Sequence, residues 1–439
     1  MQRNLRILAL LLLVLACCCC ICNGQRTFLD TPETIAILRK LRDFAYNFFS
    51  RSKGEGRSKE EDARELPNVQ ELIQDNVPFP CNVTEGRSSM VPNSVHQLRP
   101  GDIDVVGTMG DSLLAGAGIF AATIFGIAIE NRGVVSTGGG EGNWRKYLTI
   151  PNILKEFNPK LFGYAYGDAA PHHKAAQFNV AETGAMSSDT PYMAKVLVER
   201  MKNDPRVDME RHWKMVFLMI GANDFCSDLC WVSSPWSKLK SHKDDLLETL
   251  RILRDNLPRT FVNLIMPPHL RALVFITGDN PTPKCSITTN FECSCLFGLK
   301  YRDKRQEYYE IMSRWQKLEE EIVSYEEFQR DDFTIVAQPI LTDLKLPILS
   351  SGFPDRSYLS ADCFHISQKA NARFSNSLWN SMLMPVGEKP RNWAPLFSKF
   401  LCPTKERPYL ATTVNSRGQN EVSRRKKNAS RNDKESGKR

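Results

Sequence analysis

Ser112 lies in Gly110-Asp111-Ser112-Leu113, just after the apolar run Ile103 to Val106, and Asp362-Cys363-Phe364-His365 stands far downstream. A serine hydroxyl is a weak nucleophile at neutral pH. To attack a carbonyl carbon it needs a base in contact with it and a third group that orients the base. Asp362 and His365, three residues apart, can share one loop, so that the carboxylate reaches Nδ1 of the imidazole and Nε2 is left for the serine. A strand, a glycine-flanked turn and the small-residue segment Leu113 to Ala122 would set Ser112 at a helix N-terminus. Backbone N–H groups there favour developing negative charge.

Taken singly, each motif has a bland reading, a helix cap for Gly-Asp-Ser-Leu and a surface turn for Asp-x-x-His. Two further blocks stand between them: Asn179-Val180-Ala181-Glu182-Thr183-Gly184, and Gly221-Ala222-Asn223-Asp224 at the close of the apolar run Met215 to Ile220. Serine, glycine, asparagine and histidine thus follow in order. With these blocks the chain resembles the SGNH, or GDSL, hydrolase family. Its membrane-associated phospholipase B branch is the most similar, through Leu98-Arg99-Pro100-Gly101-Asp102-Ile103, Arg211-His212-Trp213-Lys214-Met215-Val216, Arg259-Thr260-Phe261-Val262-Asn263-Leu264 and Tyr358-Leu359-Ser360-Ala361-Asp362-Cys363-Phe364-His365. The likeness runs over residues 80 to 405 and includes positions with no catalytic duty.

The resemblance implies an α/β fold, a three-layer α/β/α sandwich around a parallel, flavodoxin-like sheet. It implies Ser112 as nucleophile, His365 as base and Asp362 as its orienting partner. The Ser112 and Gly184 backbone N–H groups and the Asn223 amide would hold the oxyanion. The expected activity is a secreted serine esterase that hydrolyses acyl esters of phospholipids and lysophospholipids through an acyl-Ser112 intermediate, without a cofactor. The same blocks serve members that act on other lipids or on acetylated sugars, so those substrates stay open. A lipid-binding protein that has lost catalysis is the alternative from a different class.

Strands are expected at 103–107, 177–180, 215–220, 260–265 and 333–338, and helices at 113–129, 190–202, 243–256, 303–323 and 366–382. Their alternation implies parallel βαβ units, with the blocks at 112, 184 and 223 at strand ends, on the carboxyl edge where open sheets bind ligands. Asp111 and Asp224, beside the motifs, are expected to bond the loops that shape the site. Gly116-Ala117-Gly118-Ile119-Phe120-Ala121 matches a dinucleotide-binding pattern, with Glu141 at the distance of a ribose ligand, but its glycines fall beyond the turn such a site requires. Helix packing is the expectation for them. Gly138-Gly139-Gly140-Glu141-Gly142 lacks the ending of a phosphate loop and reads as a flexible loop beside the site.

Arg3 and Arg6 precede the apolar run Ile7 to Cys22, with Gly24 after it, the pattern of a cleaved signal peptide over residues 1–24; an uncleaved anchor is the alternative. Residues 33–49 carry Ile35, Leu38, Leu41, Phe44, Ala45 and Phe48 at helical spacing, and Arg51 to Glu65 reads as a charged linker, so 25–80 precedes a single hydrolase domain at 81–405. Of 13 cysteines, Cys81, Cys226, Cys230, Cys285, Cys293, Cys295, Cys363 and Cys402 lie outside the signal. Their even number suits four disulfides in an exported chain. Cys226 and Cys230 are close enough to pair locally, and Cys81 with Cys402 could bracket the domain. Asn82 and Asn428 open glycosylation sequons.

The net charge of +8 is unevenly held. Arg417 to Arg439 carries nine basic and three acidic residues, so the body is near neutral and nothing suggests a nucleic-acid groove. Residues 406–439 are expected to form a basic, disordered tail, able at most to touch a membrane surface transiently. No C-terminal apolar segment follows, a departure from membrane-tethered members. The remaining histidines and the cysteine spacings form no metal motif, and no EF-hand loop is present. Oligomeric state is not legible from these residues.

Overall fold

The computed structural model describes Phe44, residues 67–278 and residues 282–417. The signal peptide expected at 1–24, the helix expected at 33–49 apart from Phe44, the linker expected at Arg51 to Glu65, Asn428 and most of the expected basic tail fall outside those residues.

Four strands form the sheet: β1 (Ile103–Gly110), β2 (Trp213–Met219), β3 (Thr260–Ile265) and β4 (Phe333–Gln338). All neighbours are parallel and the spatial order follows the chain order. The helices are α1 (Ser112–Ala115), α2 (Ile150–Phe157), α3 (Thr190–Asn203), α4 (Ala222–Ser227), α5 (Ser237–Asn256), α6 (Arg271–Gly278), α7 (Pro283–Glu292), α8 (Ser294–Phe297), α9 (Arg305–Ile322) and α10 (Gln368–Leu383).

Every residue of β2 and β3 is buried, as expected of parallel strands covered on both faces. Their alternation sorts the core into two layers. Met215, Phe217 and Met219 point with Phe261 and Val336 toward Ile153 and Phe157 of α2 and Phe374 and Trp379 of α10. Val216 and Leu218 point with Val262 and Ile335 toward Leu197 and Met201 of α3 and Leu246, Leu250 and Leu253 of α5. Each such large side chain, fully withdrawn from water, contributes about 1.5–3 kcal/mol. This is the expected α/β/α sandwich.

The strand expected at 177–180 does not form. Its segment does run along the outer edge of β1: Thr108 N–H donates to Phe178 O at 3.0 Å, Val180 N–H to Thr108 O at 2.8 Å and Glu182 N–H to Gly110 O at 2.9 Å. Counted as an edge, it restores the flavodoxin-like order. The far side of the segment never meets another strand, because the buried Arg132 guanidinium takes its carbonyls, donating to Asn179 O at 3.3 Å and Ala181 O at 2.7 Å. Glu130 neutralises that guanidinium at 2.8 Å.

The helix expected at 113–129 stops after Ala115. Gly116 takes the left-handed conformation (φ +78°), where its N–H donates to Ser112 O, and a Cβ there would press on the Asn131 backbone at 3.0 Å. Gly116 and Gly118 are therefore turn glycines rather than helix-packing residues. Gly138, Gly139 and Gly140, expected in a flexible loop, are buried, and Gly140 lies against the Tyr164 ring.

Packing contacts reach past both ends of residues 81–405. Phe79 sits edge-on to Trp144, Phe157 and Phe400, and Gln70, buried, accepts from Leu148 N–H while its own N–H donates to Gln368. At the other end, Leu410 is buried and its N–H bonds Leu98 O at 2.8 Å, so residues past 405 belong to the packed body.

All eight cysteines among the described residues are paired, as Cys81–Cys402, Cys226–Cys293, Cys230–Cys295 and Cys285–Cys363. The local Cys226–Cys230 pairing is thus corrected. Cys226, on α4, is bridged to Cys293 between α7 and α8, and Cys230, in the turn after α4, is bridged to Cys295 in α8.

Candidate functional site

The end of β1 is shaped by Gly110 (φ +149°), where a Cβ would strike Met219 O at 2.3 Å. Asp111 caps α1, accepting Leu113 N–H at 2.9 Å. Ser112 is thereby held at the strand-to-helix corner, 5% exposed. Burial pushes the Asp111 carboxyl up to about 6, against the Leu113 N–H and the nearby His365, which lower it.

The loop before α10 brings the base to this corner. His365 O accepts from Ser360 N–H at 2.8 Å and the Ser360 hydroxyl donates to Gly118 O at 2.5 Å, so the loop is pinned on itself and on the turn after α1. His365 Nε2 then lies 2.8 Å from Ser112 Oγ and Nδ1 lies 2.6 Å from Asp362 Oδ2. The second carboxylate oxygen accepts the N–H groups of Phe364 and His365 at 2.9 and 3.0 Å. Burial opposes ionisation of Asp362, but the charge and hydrogen bond of His365 and these two N–H groups outweigh it and hold the pKa below its ordinary value. For His365, burial works against the imidazolium, while Asp362, Glu292 and Asp111 favour it and raise the pKa to about 9. Hydroxyl, imidazole and carboxylate thus form one buried hydrogen-bonded chain, able to pass a proton from Ser112 toward a base whose charge is compensated.

Gly184 and Asn223 come to the same edge of the sheet. Gly184 has φ +86°, a conformation that favours glycine, and no atom lies where its Cβ would be. Asn223, near the start of α4, donates one amide hydrogen to Ala185 O at 2.9 Å, which ties it to the Gly184 turn and leaves its second N–H for another acceptor. Asp224 accepts from Ser187 N–H at 3.0 Å. The two aspartates beside the motifs therefore brace their loops, as expected.

Two groups near the site carry no sequence signal. The first is a buried set behind the Gly184 turn: Ser187 Oγ lies 2.5 Å from His242 Nδ1, and His242 Nε2 lies 3.2 Å from Glu319 Oε1. It resembles the Ser112 arrangement but is sealed, with all three residues at most 3% exposed. Burial pushes His242 down to about 3 and Glu319 well above the carboxylate range, and His242 stacks on Trp315 at 3.7 Å. The Ser187–His242 contact braces the turn from behind. The second is Glu292, whose carboxyl joins Asp362 and His365 in a cluster with ligand atoms within 4.8 Å of one another. Asp362 and His365 are already bonded to each other. Asn82 is exposed, and its side chain accepts Thr84 N–H at 2.9 Å.

A family model described as GDSL-like lipase/acylhydrolase matches residues 106–378. The chain is 35% identical over 364 residues to membrane-associated phospholipase B1 of Mus musculus, covering 81% of this chain and 24% of that protein. To the Homo sapiens protein of the same name it is 37% identical over 338 residues, 75% of this chain and 22% of that one. The chain thus spans about a quarter of the length of these relatives. A phospholipase A1 from Streptomyces albidoflavus NA297 is aligned over 64% of this chain and 99% of its own, at 13% identity and a TM-score of 0.29. Among the described residues, no helix is long and apolar enough to cross a membrane.

Proposed function

The chain belongs to the GDSL-like lipase/acylhydrolase family, hydrolases of carboxylic ester bonds, and from that premise we propose that it is a secreted serine esterase that removes acyl chains from phospholipids and lysophospholipids. The observation that carries this reading is the continuous hydrogen-bonded chain Ser112–His365–Asp362. Its context is a body that resembles phospholipase B1 over most of its length.

In this reading Ser112 Oγ bonds to the ester carbonyl carbon while His365 Nε2 takes the hydroxyl proton. The carbonyl oxygen, now negative, is held by the Ser112 and Gly184 N–H groups and the free Asn223 N–H. Each such donor is worth about 2.7–4 kcal/mol in the transition state. The bond to the glycerol oxygen then breaks, and that oxygen leaves with the proton from His365. Water repeats the sequence on the acyl-serine, with His365 as base, releasing the fatty acid and restoring Ser112. Asp362 keeps Nδ1 protonated and stabilises the imidazolium in both halves. The leader-like run Ile7 to Cys22 and four disulfides support export.

The test is a panel of diacyl phospholipid, lysophospholipid, triglyceride and acetylated sugar, with Ser112→Ala as control. Serine-dependent release of fatty acid from the two phospholipids, and little from the others, is expected. Preference for triglyceride or acetyl-sugar would move the substrate class, and inertness toward every ester would refute the esterase reading.

A further inference from the structure

Cys285, Thr288 and Glu292 on α7 are spaced i, i+3 and i+7 and so share one helical face. That face meets the Asp362–His365 loop at each position. Cys285 is bridged to Cys363, the Thr288 hydroxyl donates to Asp362 O at 2.5 Å, and the Glu292 carboxyl lies in the cluster with Asp362 and His365. Just past Glu292, Cys293 is bridged to Cys226 on α4. The helix is therefore fastened on both sides of the carboxyl, and Glu292 has little freedom to swing away. Its Oε2 is buried with no hydrogen bond of its own, while the protonated carboxyl is within hydrogen-bonding reach of Asp362; once ionised it needs a compensating charge beside it.

We propose that Glu292 is a positioning residue of this site, a third carboxyl that favours the imidazolium of His365 and so sets the pH range in which Ser112 can be activated. The inference rests on the esterase reading above. His365 faces Asp362 from its own loop, Asp111 from the turn before α1 and Glu292 from α7, while Glu292 faces His365 and Asp362. Burial raises the Glu292 pKa to about 8, His365 pulls against that rise, and the like charge of Asp362 and a hydrogen bond to it reinforce the rise. Glu292 is thus neutral in acid and gains its charge in the range where His365 also titrates. The two ionisations are coupled: an ionised Glu292 stabilises protonated His365, and protonated His365 eases ionisation of Glu292.

The sign of the effect follows. His365 must be neutral to act as base, so removing a carboxylate that favours its protonated form lets it act at lower pH. Glu292→Gln keeps the size and shape of the acid but cannot ionise. It should displace the acid limb of kcat/KM on a soluble ester to lower pH by about one unit, with the plateau changed less than about threefold. Glu292→Asp, which keeps the charge, should return the limb toward the wild-type position. Unchanged melting of Glu292→Gln would show that the fold is intact. In the Ser112→Ala background, the His365 Nδ1–H resonance followed by NMR should titrate at lower pH when Glu292 is also Gln. Superimposable pH profiles, or an unmoved His365 titration, would overturn the proposal. An inactive wild type would overturn the esterase reading instead, and the NMR titration would still decide the role of Glu292.

Discussion

Thr288 on α7 donates its hydroxyl to the carbonyl oxygen of Asp362 at 2.5 Å, one turn from the bridge that joins Cys285 to Cys363. Cys363, at φ +63°, sits between Asp362 and His365, the second of which meets Ser112. Left-handed backbone is unusual for a residue with a side chain, and it here turns Asp362 and His365 toward each other across one corner. The loop's geometry is therefore imposed from α7 as well as by local spacing.

Replacing Cys285 and Cys363 together by serine should destabilise the protein by about 2–4 kcal/mol and lower kcat more than it raises KM, since the loop that carries His365 loses its anchor. Chemical denaturation and ester kinetics on the same preparation check both parts. Wild-type kcat in the unbridged protein would show that the loop's own hydrogen bonds suffice.

Asn223→Ala should lower kcat by about 100-fold or more with little change in KM, the signature of a group that acts in the transition state. The substitution also frees Ala185 O. Asn223→Asp, which keeps the size but offers no N–H when ionised, should be at least as impaired. Steady-state kinetics of the two variants test this, and retained turnover in either removes Asn223 from oxyanion binding.

Asp362→Asn should reduce kcat by about 10,000-fold and move the residual acid limb downward. The sign is set by the raised pKa of His365: its protonated form is favoured by Asp362, so the base becomes available only as pH rises toward about 9, and loss of the carboxylate removes that preference. A pH series on wild type and variant is the measurement. An acid limb that moves upward would contradict the electrostatic account.

Peptide mapping under non-reducing conditions should recover Cys226 linked to Cys293 and Cys230 linked to Cys295, with no thiol free to alkylate among the eight cysteines from Cys81 to Cys402. Recovery of a Cys226–Cys230 peptide would contradict the way α4 is tied to the α7–α8 turn.

The parts of this molecule that were legible in its sequence are those whose cause is local. Met215 to Ile220 is apolar throughout and Thr260 to Ile265 is apolar but for Thr260 and Asn263, because both runs are covered on both faces, and Asp362 reaches His365 because three residues of one loop suffice. Features that were not legible depend on partners distant in the chain. Residues 177–180 have strand-like composition, yet Arg132 occupies the carbonyls a further strand would use. Residues 113–129 look helical until Gly116 turns left-handed against Asn131. Cysteine spacing allowed a Cys226–Cys230 bridge, but the α7–α8 turn lies against both. Glu292, in a helix without a motif, gains its meaning only where α7 meets the Asp362–His365 loop.

Ser112 as nucleophile is tested by the mass of the protein after reaction with a fluorophosphonate, followed by mapping of the modified peptide. A single adduct should form on Ser112, ester hydrolysis should fall in step with labelling, and folded Ser112→Ala should show neither labelling nor turnover. An adduct on another residue, or hydrolysis that persists in Ser112→Ala, would contradict that assignment.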